Sequence, residues 1–243
     1  MKKIINSILG LIDLKLIKKN SFNNNFLNYI SARDTVIGAR RAGLSVCDYV
    51  EKEWDQIGET KKVIDRMEKL GVFKKSNPTV CEIGAGTGRY MEKVIDKCAP
   101  ERYESYETAQ DWADWLQNKY PIITQQSDGH SLKYTGDDSI DIVHSHGVFV
   151  YLPFFDSLRY FSEIERITKA GSYVVFDCIT EECLDNELLG KWLNSENNFP
   201  RILPEKYIFD FFPSSKFNLV GNFFTAYGKG KSKYFVFKNT NIE

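Results

Sequence analysis

Long apolar runs are missing from this sequence: no stretch is both long and apolar enough to cross a bilayer. Net charge is missing too. Thirty-two Lys and Arg stand against 33 Asp and Glu, leaving a formal charge of -1. So small a balance argues against an electrostatic grip on nucleic acid. Paired cysteines are absent. Cys47, Cys81, Cys98, Cys178 and Cys183 are odd in number, and no two have the CxxC spacing of a zinc or redox site. Cys81 and Cys178 sit in apolar, strand-like runs, where buried free thiols are common. The sequence thus predicts a reducing, cytoplasmic setting with no disulfide framework. There is no internal repeat and no low-complexity tail.

What is present suffices for one sizeable α/β domain with additions: 243 residues, 42% of them apolar. The start, MKKIINSILGLIDLKLIKKN, has the basic front of a signal peptide, but Asp13 and Lys15 break its apolar stretch and no small-residue cleavage site follows. Wound as a helix, it gathers Ile4, Ile5, Ile8, Leu9, Leu11, Ile12 and Leu16 on one half. Lys2, Lys3, Asn6, Ser7 and Asp13 take the other half. Such a basic amphipathic helix (residues 1–20) can lie on an anionic membrane surface, or pack on its own domain or a second subunit.

After an asparagine-rich linker, residues 31–43, 45–55 and 59–71 read as three short helices. Ser31 and Ser45 are N-caps, and Gly43 and Gly71 are stops. They form a helical extension over residues 21–75. From residue 76 strands alternate with helices. Strands are expected at 79–83, 102–106, 122–126, 140–145 and 172–178, with helices at 88–97, 109–119 and 154–169. This pattern means a parallel sheet with helices on both faces. Residues 181–193 and 204–212 look helical. Residues 217–227 and 232–238 look like two strands whose short GKGK turn makes them an antiparallel pair.

The stretch VCEIGAGTGRY, Val80 to Tyr90, concentrates the chemistry. A dinucleotide fold places its third glycine three residues after the second. Here Gly84, Gly86 and Gly88 are spaced evenly by two. A P-loop ends in Lys and Ser/Thr, and Arg89-Tyr90 supplies neither. The pattern E-x-G-x-G-x-G, from Glu82 to Gly88, resembles motif I of class I S-adenosylmethionine-dependent methyltransferases. A phosphate-free ligand needs bare backbone at close range, which glycine allows. Further features follow in that family's order: Glu107 at the end of the second strand, Asp128 in SDGHSL after the third, and DDSIDIVHSHGVFVYLPF around the fourth. ITKAGSYVVFD is similar to the family's helix-turn-strand, without its proline.

The resemblance covers about residues 78–178 and implies a Rossmann-like fold: a mostly parallel seven-stranded sheet with an antiparallel C-terminal pair, plus the N-terminal helical extension. It implies S-adenosylmethionine as cofactor, held by Glu82, Gly84, Ala85, Gly86, Glu107, Asp128, Gly129 and Ser145. Glu82 would face the ammonium or sulfonium end, Glu107 the ribose hydroxyls and Asp128 the adenine amino group. Trp112 and Trp115, three apart on one helix, read as core.

In open parallel sheets ligands lie at the carboxyl ends of the strands, which puts the acceptor near Ser145–Leu152. His144 and His146 share one face of the fourth strand by alternation. His146, nearer the open end, is the expected general base, because imidazole titrates near neutrality. Tyr151 is the second candidate. Asp177, Glu181 and Glu182 follow the fifth strand as acids able to hold a divalent ion, but such acids more often cap helices or face solvent; no metal is assigned.

Acceptor specificity belongs to residues 1–75 and 180–215. These carry Tyr49, Trp54, Trp192, Phe199, Tyr207, Phe211 and Phe212 beside Arg40, Arg41, Lys191 and Arg201. Aromatic faces beside charged groups suit a sugar or a polar ring bearing a phosphate. The leading expectation is an O-methyltransferase of a saccharide, a lipid-linked or cell-surface glycan precursor at the inner membrane face. Alternatives are methylation of a soluble metabolite at oxygen or nitrogen, and a degenerate, non-catalytic scaffold. Nucleic-acid partners are not expected. The basic groove is lacking, and SHGV stands where base methylases carry N/D-P-P-Y/F.

Overall fold

A computed structural model describes residues 30–194, 201–228 and 230–241. Its first elements are α1 (Ala32–Ala42), α2 (Val46–Glu53) and α3 (Glu59–Lys69). Ser31 and Ser45 cap the first two helices, accepting from the Asp34 and Asp48 N–H groups. Gly43 closes α1 in the left-handed conformation. Then follow β1 (Thr79–Ile83), α4 (Arg89–Cys98), β2 (Arg102–Glu107), α5 (Gln110–Lys119), β3 (Ile123–Gln126) and β4 (Ile140–Ser145). The chain continues through α6 (Phe154–Ile167), β5 (Thr168–Cys178), α7 (Asn186–Leu193), α8 (Glu205–Phe211), β6 (Phe217–Tyr227) and β7 (Gly230–Asn239).

Two segments differ from the sequence reading. Thr168 to Gly171, expected to finish a helix and turn, already belongs to β5. Thr168 pairs with Ile140, and the register then shifts so that Tyr173 pairs with Ile142. The expected helix 181–193 is split. A single 3-10 turn, Glu181–Cys183, precedes α7, because Asp185 caps α7 by accepting from the Leu188 N–H. The 1–20 helix lies outside the described residues. Among the described residues, no helix is long and apolar enough to cross a membrane.

The seven strands order as β3-β2-β1-β4-β5-β7-β6. Strands β1 to β5 pair in parallel. β7 is antiparallel to both β5 and β6, so it inserts between them and alone runs against the rest. Strand alternation sends Cys81, Val143, Val174, Phe176, Phe235 and Phe237 to one face, packed against α6 and α8. Val80, Ile142, Val175, Tyr234 and Val236 go to the other, under Val63 and Met67 of α3 and Met91 and Val94 of α4. All five cysteines are free and buried.

Asp141 ties the start of the sheet together. Its carboxylate accepts from Lys75 at 2.6 Å, from the Thr79 N–H at 2.9 Å and hydroxyl at 2.8 Å, and from Lys169 at 3.2 Å. Burial opposes its ionisation, but these donors outweigh burial and lower its pKa from 3.8 to about 2. A depressed carboxylate stabilises the fold above its unfolded value and ceases to as pH falls through its folded value. Asp141→Ala is therefore expected to cost about 3 kcal/mol in urea unfolding at pH 7, the scale of losing charged hydrogen bonds. The gap to wild type narrows between pH 4 and pH 2, the window set by those two values.

Candidate active site

A cleft of about 880 Å³ opens at the carboxyl ends of β1, β2 and β4. Its floor is the turn from β1 into α4. There Gly84 and Gly86 take φ values of 70° and 51°, which side chains avoid. A Cβ on Gly84 would stand 2.4 Å from Val148 Cγ2, whereas one on Gly86 would meet nothing within 4 Å. The first glycine lets the chain turn under Val148, and the second leaves open backbone. Ala85 also lines this floor.

Glu107 closes the next side. One carboxylate oxygen accepts from the Gly86 N–H at 2.7 Å and the other from the Ala109 N–H at 2.8 Å. Burial raises its pKa, against the Ala109, Gly86 and Thr108 N–H groups that favour the anion. The two carboxylate oxygens have four lone-pair sites between them, so with three N–H groups turned toward them at least one stays open to a ligand hydroxyl. Left-handed glycines and a half-buried carboxylate beside an open cleft are a lining that S-adenosylmethionine could use, Gly84, Ala85 and Gly86 offering bare backbone and Glu107 an acceptor for ribose hydroxyls. Gly129 and Trp112 border the same space, so Trp112 is a wall residue as well as core. Its indole N–H donates to Ile30 O at 2.8 Å.

Three residues expected at the cofactor do not line the cleft. Glu82 points into the sheet's α3–α4 face, where the Tyr103 hydroxyl donates to it at 2.7 Å. Asp128 is consumed by its own loop, accepting from the His130 N–H, the Ser131 N–H and the Ser131 hydroxyl. Ser145 is buried, and its hydroxyl donates to Ile83 O at 3.0 Å, pinning β4 to β1. In each case a partner inside the protein has claimed the polar group.

His144 and His146 share a face, as alternation requires, and bond each other, Nδ1 to Nε2, at 3.1 Å. His146 lines the cleft, stacked on Tyr90 with ring centroids 3.6 Å apart. Its Nδ1 lies 3.1 Å from the Tyr234 hydroxyl. Both ring nitrogens of His146, the expected general base, are thus engaged by neighbours within the protein. Burial pushes its pKa well below the ordinary value, with His144 and Arg89 adding to that, so the ring is neutral. Tyr234 and Tyr90, both on the wall, were not singled out from sequence. Tyr234 lies 88 residues from His146 and meets it only because β7 inserts beside β5.

Tyr151 lines the far wall, edge-on to Tyr227 at 6.0 Å. Arg89 reaches over Trp54 and Tyr90, 5.0 and 5.2 Å from their ring centres, and donates to Gln56 Oε1 at 2.9 Å. Asp177 also borders the cleft and accepts from the Gly147 N–H at 2.7 Å, while burial raises its pKa. Glu182 pairs with Lys233 and Glu181 accepts from the Glu205 N–H, so these acids do not converge with Asp177. Of the aromatic and basic residues expected to set specificity, Trp54 lines the cleft. Phe212 is in the core, Tyr207 stands against Phe154, and Phe199 lies outside the described residues.

Comparison with known proteins adds the family. The sequence model described as "Methyltransferase domain" matches residues 54–217. No curated protein matches the chain. Among solved structures, the magnesium protoporphyrin IX methyltransferase of Synechocystis PCC 6803 with bound SAH aligns at a TM-score of 0.62 and 14% identity, over 87% of this chain and 96% of that one. A sarcosine dimethylglycine methyltransferase of Galdieria sulphuraria, described as putative, aligns at 0.58 and 11%, over 77% and 88%. An S-adenosylmethionine-dependent methyltransferase from Methanosarcina mazei aligns at 0.56 and 11%, over 73% and 96%. With the family match spanning more than half of its residues, this chain belongs to the methyltransferase-domain family and is a class I S-adenosylmethionine-dependent methyltransferase.

Proposed function

We propose that the enzyme methylates a hydroxyl of a saccharide, with a lipid-linked or cell-surface glycan precursor as the acceptor. One observation carries this reading: beyond the glycine floor the cleft is walled by Trp54, Tyr90, Tyr151 and Tyr227, with Arg89 over two of these rings and Asp177 also on the lining. Flat aromatic faces suit the C–H faces of a sugar, and interleaved charged groups suit its hydroxyls or an attached phosphate.

Bound S-adenosylmethionine would supply an activated methyl, held on a sulfonium, for transfer to the acceptor oxygen. The protein's own work is alignment and proton removal. Gly84, Ala85, Gly86 and Glu107 fix the donor. The Tyr234 hydroxyl meets the acceptor's O–H and passes a proton to His146 Nδ1. A neutral imidazole is suited to receive it, since one of its nitrogens always accepts. The solved relatives are named for acceptors as different as sarcosine dimethylglycine and a porphyrin, so specificity rests on this wall and not on the shared fold.

The basic amphipathic start, residues 1–19, supports peripheral attachment at the cytoplasmic membrane face. Deleting residues 1–20 is expected to release the protein from membranes without loss of turnover on a soluble acceptor. For the acceptor itself, cell extracts incubated with methyl-labelled S-adenosylmethionine and the enzyme are separated into glycan, lipid-linked and small-metabolite fractions. Label on a sugar oxygen is expected. Label confined to an amine or to a free small metabolite contradicts the saccharide reading, and no label with no cofactor binding points to a scaffold.

A further inference from the structure

A row of hydrogen-bonded side chains crosses the sheet on its α3–α4 face, and one end alone reaches the cleft. Glu82 and Tyr103 are 2.7 Å apart, the Tyr103 hydroxyl and His144 Nε2 2.8 Å, His144 Nδ1 and His146 Nε2 3.1 Å, and His146 Nδ1 and the Tyr234 hydroxyl 3.1 Å. Tyr90 stands beyond at 3.4 Å from Tyr234. Glu82, Tyr103, His144 and Tyr234 are each no more than 2% exposed. Burying a carboxylate and two imidazoles costs stability unless they are hydrogen-bonded or paired. The row is continuous, and each contact can point either way. With Glu82 ionised, every hydroxyl and N–H donates toward it, and both histidines carry their proton on Nε2. With Glu82 protonated, the whole row reverses and both carry it on Nδ1.

We propose that Glu82, Tyr103 and His144 complete a proton wire that carries the acceptor hydroxyl's proton away from Tyr234 and His146 and stores it on the Glu82 carboxylate. This rests on the O-methylation reading above. The acceptor's proton goes to the Tyr234 oxygen as Tyr234 gives its own to His146 Nδ1. His146 passes its Nε2 proton to His144 Nδ1, His144 passes its Nε2 proton to Tyr103, and Tyr103 passes its own to Glu82. One proton enters, one carboxylate is neutralised, and no side chain of the row is left charged. The negative charge disappears as the donor's positive charge does, so methyl transfer leaves no net charge behind in the buried site. A general base at the wall alone would leave a buried imidazolium, which burial disfavours at both His144 and His146.

Glu82 suits the terminal role. Burial raises its pKa to about 8, against the Tyr103 hydrogen bond and with Glu107 adding to the rise. The other titratable groups near it are Cys81 on its own strand, His144 on β4, and Cys98 of α4 beside Tyr103. Arg89 of α4 acts on the His146 end. Because the acceptor form is the ionised one, turnover is expected to rise with pH and level off above the Glu82 pKa.

Nitrogen-15 NMR of the histidine rings in the full, ligand-free chain reads the wire directly. In the wild type the His144 and His146 signals are expected to swap together from the Nε2–H to the Nδ1–H pattern as pH falls through about 8. Glu82→Gln abolishes that swap. Tyr103→Phe, which keeps the ring and so protects the fold, uncouples it from Glu82. In turnover, both variants lose about 10-fold or more in kcat together with the pH rise, while acceptor KM and cofactor affinity stay within about 2-fold. Histidine signals that stay fixed from pH 6 to 9 in the wild type overturn the wire, as does an unchanged pH profile in Glu82→Gln. If the signals swap but no hydroxyl acceptor is found, the wire stands and the O-methylation reading fails.

Discussion

Glu107→Ala is expected to weaken S-adenosylmethionine binding by about 10²-fold, the upper end for losing a hydrogen bond to a charged acceptor at about 1.5–3 kcal/mol. The variant loses two things at once. The ligand's ribose loses its carboxylate, and the glycine floor loses the anchor that Glu107 provides through the Gly86 N–H. Glu107→Gln separates them. An amide oxygen can still take one backbone N–H, so the floor survives, but the second oxygen becomes a donor that faces the Gly86 or Ala109 N–H. It should bind about 10-fold more weakly than wild type, the lower end of that range. Turnover at saturating cofactor stays within about 3-fold in both, because Glu107 acts on binding and not on the proton. Calorimetry gives the affinity and steady-state kinetics the turnover. A large fall in kcat with unchanged affinity contradicts the assignment.

Tyr234→Phe and His146→Ala are each expected to lower kcat by about 10²-fold, the scale of general-base catalysis, with cofactor affinity unchanged. The two residues stand in series, 3.1 Å apart, between the cleft and the interior. Cutting a series path twice does no more than cutting it once. The double variant should therefore be no slower than the worse single one, and the interaction energy in the cycle should nearly equal one whole effect. His146→Ala also removes the ring stacked on Tyr90, so Tyr234→Phe is the cleaner member of the cycle. Effects that multiply mean two independent roles, and full activity in Tyr234→Phe transfers the proton step to Tyr151 or to no base.

Much of the site was legible because it is local. Gly84, Gly86 and Glu107 lie at strand ends that apolar runs and glycines mark in the sequence, and they meet in the cleft. The pairing of His144 with His146 followed from two-residue alternation along one strand. What stayed hidden depends on distant pairing. Tyr234 reaches His146 only through the β5-β7-β6 order, and no local pattern says that the last strand inserts inside the pair. Gln56 comes to the wall from the loop after α2, where the 3.6-residue period no longer applies. Glu82, Asp128 and Ser145 show the opposite limit. Their positions were read correctly, but a motif does not say whether a polar group faces the ligand or a partner inside the protein. Hydrogen-bond competition decides that: the interior takes Glu82 and Ser145, and Asp128 bonds within its own exposed loop.

The most direct test is a crystal structure of the full chain with S-adenosylhomocysteine. The ribose hydroxyls are expected on the Glu107 carboxylate, with the Gly84–Gly86 backbone beneath the ligand and its sulfur facing the Tyr90–Tyr234 wall. An empty cleft at saturating ligand, or a ribose held away from Glu107, contradicts the account.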